Sequence, residues 1–343
     1  MGEGELRPVD LRLPSPVSEL HDDRLTATGI RVLLKRDDLI HPEISGNKWR
    51  KLKYNVSSAR ELGFDTLLTF GGAYSNHIRA TAAVSYYGDF TTIGVIRGEE
   101  HLPLNCSLAY AGGRGMRLTY LDRTAYRAKT SNAVIGALQR EFGDFYLLPE
   151  GGCNTEGVLG CAELPAELTE PFDVLFCAVG TGGTLAGVAG GVSARHVVIG
   201  VPVLKGGAFL EDEIVDLQQA AYGARVGTWH LECDYHFGGY AKRTPELDEF
   251  IADFAARHGP LLDWVYEAKR MYALFDQVSR GAFARGTTIV ALISGSGEAP
   301  CAGRSTSGGA DAKEFADARD GRIPPNTGSI LFVSGGGLVC CVA

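Results

Sequence analysis

The stretch Val174-Leu175-Phe176-Cys177-Ala178-Val179-Gly180-Thr181-Gly182-Gly183-Thr184 decides the fold class of this chain. Its first six residues are apolar, as in a buried strand, and the glycine-rich turn at 180–184 opens a run of small residues typical of a helix. A strand that feeds such a turn presents free backbone N–H groups and the positive end of a helix dipole, which suit a phosphate. The segment predicts an α/β fold with a phosphate site formed by Gly180, Thr181, Gly182, Gly183 and Thr184.

The same turn argues against two common phosphate ligands. Leu185 stands where a dinucleotide fingerprint needs its third glycine, and Val188 stands where a P-loop needs its lysine. NAD and ATP are therefore less favoured than a smaller phosphate ester.

Elsewhere, short apolar runs alternate with helical patterns, which indicates α/β architecture with largely parallel sheets. The predicted strands are 32–34, 66–70, 92–96, 117–120, 145–148, 174–179 and 197–201. The predicted helices are 48–62, 75–87, 131–141 and 184–192.

Composition narrows the class of protein. The 343 residues, 45% of them hydrophobic, suffice for two cores, and a net charge of −8 argues against a nucleic-acid or membrane partner. The eight cysteines form no CxxC pair, so we expect free thiols. The acidic start at 1–5 has no apolar core and no run of ~20 apolar residues occurs, so we expect a cytoplasmic protein.

Lys48 gives the phosphate turn a chemical partner. It lies in the run SGNKWRKLKY at 45–54, and a lysine combined with a phosphate cradle suggests pyridoxal 5'-phosphate (PLP), held by its phosphate and bonded as a Schiff base. Each feature has a simpler interpretation when taken alone: Lys48 as a solvated surface charge, and the glycine turn as a connection that closes a helix onto a sheet. The pairing of the two favours the cofactor.

Several segments, in this order, resemble the 1-aminocyclopropane-1-carboxylate (ACC) deaminase and D-cysteine desulfhydrase family of fold-type II PLP enzymes, which are tryptophan synthase β-like. They are LKRDDL at 34–39, SGNK at 45–48, GGAYSNH at 71–77, PEGG at 149–152 and the turn at 180–184. The resemblance implies two open, twisted, largely parallel-sheet domains with PLP in the cleft between them. The small domain would be 47–155, and the large, discontinuous domain would be 1–46 plus 156–343. It also implies a homodimer.

The resemblance also implies roles at Ser75-Asn76-His77. Read as a bare pattern, this triplet is a helix N-cap. By resemblance Ser75 binds the substrate carboxylate and Asn76 hydrogen-bonds the phenolic oxygen of PLP, while His77 contacts substrate. Asn47, beside Lys48, is expected to contact the cofactor. His77 replaces the glutamine of the ACC deaminases and favours a desulfhydrase.

Two tyrosines and a glutamate complete the expected site. Tyr266 and Glu267 match a family helix start, and Glu267 would face the pyridine nitrogen and keep it protonated, although a first-turn glutamate commonly only compensates the helix dipole. Glutamate here favours an ACC deaminase, against the marker at His77. Tyr240 matches a second active-site tyrosine, which would bind substrate or act as an acid. A partly buried aromatic is the alternative.

The C-terminal part departs from the family. The run 287–292 resembles the last family strand, but the His-Thr-Gly-Gly turn that should meet the pyridine ring is replaced by Ile293-Ser294-Gly295-Ser296. A second candidate strand lies at 330–334. The spacing from Tyr266 favours the first strand, whereas the Gly-Gly-Leu ending at 336–338 favours the second. We prefer the first, which leaves Ser294 as the expected ring contact.

The expected activity is that of a PLP-dependent lyase or deaminase acting on a small α-amino acid. A D-cysteine desulfhydrase removes the α-proton and expels a β-thiol, giving pyruvate and ammonia. ACC has no α-proton, so its ring opens by nucleophilic attack or β-proton removal, giving 2-oxobutanoate and ammonia. The alternatives are β-replacement or Cα–Cβ chemistry on an unusual amino acid, and a PLP-binding protein without activity. The sequence contains no Gly-x-Ser-x-Gly elbow and no metal-type histidine spacing, so a serine hydrolase and a metalloenzyme are less favoured.

Overall fold

The computed structural model describes residues 10–44, 46–259 and 262–295, which form two sheets surrounded by helices. One sheet has six strands in the order β1-β2-β10-β7-β8-β9, and the other has four in the order β5-β4-β3-β6. The strands are β1 Val17–Glu19, β2 Arg31–Arg36, β3 Thr66–Gly71, β4 Thr91–Arg97, β5 Arg117–Leu121, β6 Tyr146–Leu148, β7 Val174–Val179, β8 Val197–Pro202, β9 Thr228–Leu231 and β10 Thr288–Ile293.

The helices alternate with these strands. They are α1 Asp23–Thr26, α2 Asn47–Glu61, α3 Asn76–Gly88, α4 Cys106–Gly113, α5 Arg123–Arg127, α6 Asn132–Phe142, α7 Thr155–Ala162, α8 Gly183–Gly191, α9 Leu210–Tyr222, α10 Pro245–His258 and α11 Glu267–Ser279. Short 3-10 turns lie at Asp37–Leu39, Glu150–Gly152, Leu164–Glu167 and Gly207–Phe209.

The six-stranded sheet is parallel except at its β1 edge. Its central strands are buried on both faces, which explains their unbroken apolar runs. Phe176 and Ala291 point into one core cluster, whereas Leu175, Cys177 and Leu292 point into the other. The period of two places helices on both sides of this sheet.

The four-stranded sheet is entirely parallel and comes from one continuous stretch of chain, 66–148. The six-stranded sheet draws its strands from before and after that stretch. This arrangement fits an α/β fold with a discontinuous larger part, while the boundaries 1–46 plus 156–343 and 47–155 stay a prediction.

A buried cluster of four charged residues fixes α2 against the larger sheet. Arg50 donates to both carboxylate oxygens of Asp37, at 2.6 and 2.8 Å, and to both of Glu167, at 2.8 and 2.9 Å. Lys35 donates to Glu167 at 2.6 Å. Each charge has a partner of opposite sign, as buried charges require. The sequence motif at 34–39 therefore anchors the helix that begins at Asn47.

The structure confirms every predicted strand and helix to within a few residues, and the strand expected at 287–292 is β10, between β2 and β7. The alternative at 330–334 lies outside the described residues. The expectation of free thiols was wrong for Cys106, which is disulfide-bonded. Cys106 is exposed at the start of α4, whereas Cys161 and Cys177 are buried and free.

Within the described residues, the helices are too short or too polar to cross a membrane. The same residues contain no group of histidine, cysteine and carboxylate side chains that could hold a metal ion.

Candidate active site

The glycine turn after β7 forms a cradle at the N-terminus of α8. Gly182 has φ +79°, a left-handed conformation that favours glycine, and no side chain caps the helix. Lys51 lies against this end: a Cβ added at Gly183 would stand 3.2 Å from its Nζ. Lys51 also donates to the Gly151 carbonyl at 3.1 Å and to Cys153 Sγ at 3.3 Å. Uncapped N–H groups beside a buried ammonium fit a phosphate.

Lys48 is joined to the cradle through Asn47. Its Nζ donates to Asn47 Oδ1 at 2.8 Å, and Asn47 Nδ2 donates to Thr184 Oγ1 at 2.9 Å. Burial, with the nearby charge of Lys51, lowers the pKa of Lys48 to about 8. A lysine of this kind is partly uncharged near neutral pH, whereas an ordinary lysine is almost fully protonated there.

A further part of the site is formed where α2 meets the end of β10. Asn47 N–H donates to the Ser294 carbonyl at 3.1 Å. Ser294 donates through its N–H and its hydroxyl to Glu267 Oε1, at 2.9 and 2.7 Å, and Arg270 donates to Glu267 Oε2 at 2.7 Å. Glu267 and Arg270 are fully buried. Gly46 packs so closely that a Cβ there would lie 1.5 Å from the Ser294 carbonyl oxygen.

Two tyrosines lie beside the cradle. Tyr266 donates its hydroxyl to that of Tyr240 at 3.2 Å, and its ring lies against Gly180, where an added Cβ would be 3.2 Å away. Burial raises the pKa of both tyrosines. Asp263 accepts from the backbone N–H groups of Tyr266 and Glu267, which fixes the start of α11, and burial raises the pKa of Asp263 to about 6. Both tyrosines are therefore proton donors throughout the physiological range.

The N-terminus of α3 supplies Ser75, Asn76 and His77. Ser75 Oγ accepts from the N–H groups of His77 and Ile78, so it is the N-cap that the bare pattern suggested, and Asn76 is exposed. The His77 ring approaches the same glycine as Lys51, since a Cβ at Gly152 would lie 3.4 Å from His77 Cε1 and 3.2 Å from Lys51 Cβ. This end of α3 therefore borders the cradle.

The hydrogen bonds of His77 define its tautomer. Thr69 donates its hydroxyl to the Leu148 carbonyl at 3.0 Å, so the 2.8 Å contact between Thr69 Oγ1 and His77 Nε2 has the imidazole as donor. Burial and the charges of Lys48 and Lys51 lower the pKa of His77 to about 3, which keeps the ring neutral. Nδ1 then carries a lone pair, and it has no partner among the described residues.

The structure brings most of the residues expected from the sequence together at or next to the cradle: Asn47, Lys48, Ser75, His77, Gly180, Thr181, Gly182, Gly183, Thr184, Tyr240, Tyr266, Glu267 and Ser294. Asn76 lies exposed between Ser75 and His77 at the start of α3. The structure adds four that the sequence reasoning missed: Lys51, Cys153, Asp263 and Arg270. Lys51 and Arg270 each follow an expected residue by three positions on a helix, a spacing that brings side chains to the same face. That spacing was the available signal.

Comparisons with known proteins agree with this geometry. The sequence model of the pyridoxal-phosphate dependent enzymes matches residues 11–295. A Pyrococcus horikoshii protein, whose name provisionally assigns it as an ACC deaminase, is 33% identical over 74% of this chain and 81% of its own length. A D-cysteine desulfhydrase of Salmonella choleraesuis is 30% identical over 74% of this chain and 83% of its own.

The fold comparison points the same way. The crystal structure of an ACC deaminase homologue superposes with a TM-score of 0.72 and 29% identity, covering 85% of this chain and 91% of the other. The fold is therefore fold-type II. The chain belongs to the pyridoxal-phosphate dependent enzymes, its cofactor is PLP, and its relatives there are ACC deaminases and D-cysteine desulfhydrases.

Proposed function

We propose that this enzyme catalyses β-elimination on a small α-amino acid of the D-cysteine type, releasing hydrogen sulfide, pyruvate and ammonia. The observation that carries the proposal is Lys48, a lysine beside the phosphate cradle whose pKa is lowered to about 8. Such an amine can take a proton from carbon near neutral pH, and elimination needs α-proton removal.

The residues around Lys48 match the parts of PLP. The cradle and Lys51 would hold the phosphate, Asn76 the phenolic oxygen, and Ser294 the ring nitrogen. Bound there, PLP supplies an electron sink that weakens the bonds at the substrate Cα. Ser75 and the N-terminus of α3 would bind the substrate carboxylate, because a helix N-terminus favours an anion.

The reaction needs one group that removes the α-proton and one that protonates the leaving sulfur. Lys48 takes the α-proton, the bond between Cβ and sulfur breaks, and the sulfur leaves with the electron pair. Tyr240 would protonate the departing sulfur. In support of this role, its hydroxyl meets that of Tyr266 and both tyrosines remain protonated. The 2-aminoacrylate product takes up water to give pyruvate and ammonia.

Two features favour elimination over ring opening. Glu267, the marker for an ACC deaminase, is paired with the fully buried Arg270, so its negative charge is compensated and its oxygens already accept three hydrogen bonds. Its influence on the ring nitrogen would pass through Ser294. The neutral His77, with a lone pair on Nδ1, can accept a hydrogen bond from a substrate amine or thiol.

The experiment is a product assay of the PLP-loaded enzyme with D-cysteine, L-cysteine and ACC in separate reactions. The proposal predicts sulfide and pyruvate from D-cysteine, and no 2-oxobutanoate from ACC. Lys48→Ala abolishes the reaction, while Lys53→Ala, on the same helix, retains it. Release of 2-oxobutanoate from ACC without sulfide from D-cysteine would contradict the proposal.

ACC ring opening is the second candidate, and the burial of Glu267 next to Ser294 is the observation in its favour. Ser294→Ala separates the two reactions. Ring opening needs a strongly withdrawing ring and should lose most of its rate, whereas elimination of a good leaving group should lose less. A β-replacement activity would appear as a new amino acid when a second thiol is added to the D-cysteine reaction.

We also propose that the enzyme is a cytoplasmic homodimer with a small domain at 47–155, as the family resemblance implies. Light scattering of the purified protein tests the dimer, and cell fractionation tests the compartment. Limited proteolysis tests the domain boundaries, because cleavage concentrates at exposed links between domains.

A further inference from the structure

A cavity lies away from the cradle, against the C-terminal half of α11. It has a volume of about 660 Å³. Its walls come from β8 and β9, the segment that follows β9, the start of α10, the C-terminal half of α11 and the residues just after α11. We call it the α11 cavity. None of the residues that line it belongs to the active site described above.

Tyr235, Phe237, Tyr272 and Phe283 are the phenyl and phenol rings that line the α11 cavity, and the first three contact one another through Tyr272. Phe237 and Tyr272 meet edge to face at a centroid distance of 4.9 Å, and Tyr235 is inclined at 50° to Tyr272 with centroids 6.3 Å apart. Rings set at large angles around a space are the arrangement that surrounds an alkylammonium group by cation–π attraction.

The charges around the cavity are predominantly negative. Glu232, Asp234, Glu246 and Asp276 line it, against the single guanidinium of Arg280. Arg280 is paired with Asp276 at 3.0 Å, and His230 lies 3.2 Å from Glu232, so four carboxylates face one guanidinium and one imidazole in the lining. The electric potential in the cavity is therefore negative and complements a cation.

The hydroxyl groups of Tyr235 and Tyr272 both donate to carboxylates that line the cavity. Tyr272 donates to Glu246, and this hydrogen bond raises the pKa of Tyr272 to about 12. Burial, with the hydrogen bond to Asp276 at 2.7 Å, raises the pKa of Tyr235. Both hydroxyls are bonded to carboxylates, so a ligand in the cavity would meet aromatic rings rather than free hydroxyl groups.

We propose that the α11 cavity binds a small organic cation, a quaternary or alkyl ammonium group on an apolar body, with the three rings around the charge and the carboxylates at the rim. The rings select an apolar surface and the carboxylates select positive charge. An anion or a neutral sugar satisfies neither requirement.

One loop joins this cavity to the active site. Phe237 lines the cavity, and Tyr240 follows it by three residues. Lys269 holds the loop between them by donating to the carbonyls of His236 and Gly239, at 2.9 and 2.7 Å. A ligand that moves Phe237 is therefore expected to shift Tyr240.

Calorimetric titration of the PLP-loaded enzyme with choline tests the site, and 3,3-dimethylbutan-1-ol, which has the same shape without the charge, is the matched control ligand. We expect saturable binding of choline and none of the alcohol. Phe237→Leu should weaken choline binding by about tenfold. Asp234→Asn, at an exposed position that a folded protein tolerates, should weaken it by about two- to fivefold.

Asp212→Asn removes the same charge from an exposed position on α9 outside the cavity, and it should leave the affinity for choline unchanged. Absence of saturable choline binding, equal binding of the neutral alcohol, or unchanged affinity in both cavity variants would overturn the proposal.

Sulfide release with and without choline tests the coupling through the loop. This second readout rests on the proposed function, whereas the calorimetry does not, so the two can fail separately. A change in rate that Phe237→Leu removes supports the coupling. Saturable binding with no change in rate overturns the coupling alone.

Discussion

Arg50→Met should destabilise the fold more than any surface substitution, because it leaves buried carboxylates without their partner. Arg50 is 2% exposed and makes four hydrogen bonds to Asp37 and Glu167, which are 0% and 17% exposed. In the native cluster, Arg50 and Lys35 balance the two carboxylates; after the substitution, Lys35 alone faces both of them. Breaking a buried pair from one side costs about 3–5 kcal/mol.

The pKa of Glu167 gives a second measure of how much the buried charged cluster stabilises the fold. Burial alone would raise this pKa, but hydrogen bonds from Arg50 and Lys35 lower it from 4.5 to about 2. A folded-state pKa below the unfolded one stabilises the fold above pH 4.5, and the stabilisation is lost as the pH falls toward 2. The difference corresponds to about 3 kcal/mol for the pairing of Glu167 with Arg50 and Lys35 together. Arg50→Met removes the Arg50 part of this pairing and, in addition, the pairing with Asp37.

The assay is urea unfolding at pH 7 followed by circular dichroism. Arg117→Met is the matched control, because Arg117 pairs with Glu141 on the surface at 3.5 Å, and it should cost no more than about 1 kcal/mol. Asp37→Asn alone and combined with Arg50→Met completes a double-mutant cycle, with an expected coupling of at least about 1 kcal/mol. Equal costs for Arg50→Met and Arg117→Met would refute the reasoning.

Three further outcomes follow from the site. Lys51→Met should weaken PLP binding by about 10- to 100-fold, since a charge-assisted hydrogen bond is lost, while Lys53→Met should not; equal affinities would contradict the phosphate role. Gly46→Ala should prevent assembly of the site, because the added Cβ would collide with the Ser294 carbonyl. Gly63→Ala is the control, since Gly63 also has a positive φ but open space around it, and it should lower the free energy of unfolding in urea by only about 1–2 kcal/mol. Similar losses in the two variants would contradict this argument. The turnover rate should rise with pH through about 8, as Lys48 loses its proton, and a rate independent of pH from 6 to 9 would exclude Lys48 as the base.

The parallel sheets could be predicted because strands buried on both faces have a recognisable sequence pattern. Runs such as 174–179 are apolar without interruption, and the glycine turn that follows β7 marks both the strand end and the helix start. Strand β9, only four residues long with alternating exposure, gave no such signal. Helix α10 did have one, since Thr244 caps it and Pro245 is its first residue, a pairing typical of a helix start.

The site could be predicted in part, because short motifs mark residues but not their partners. Lys48 and the turn at 180–184 were recognisable from local chemistry. The pairing of Glu267 with Arg270 and Ser294 joins the start of α11 to the end of β10, and only the fold brings those two ends together. The tautomer of His77 depends likewise on Thr69 and Leu148, from two neighbouring strands.

The central claim is that Lys48 carries the cofactor beside the cradle. The most direct test is borohydride reduction of the PLP-loaded enzyme, which fixes the cofactor to its lysine, followed by peptide mass spectrometry. The claim predicts a phosphopyridoxyl group on Lys48, and its absence after reduction of Lys48→Ala. The group on Lys51, Lys269 or any other lysine of the native enzyme would contradict the account.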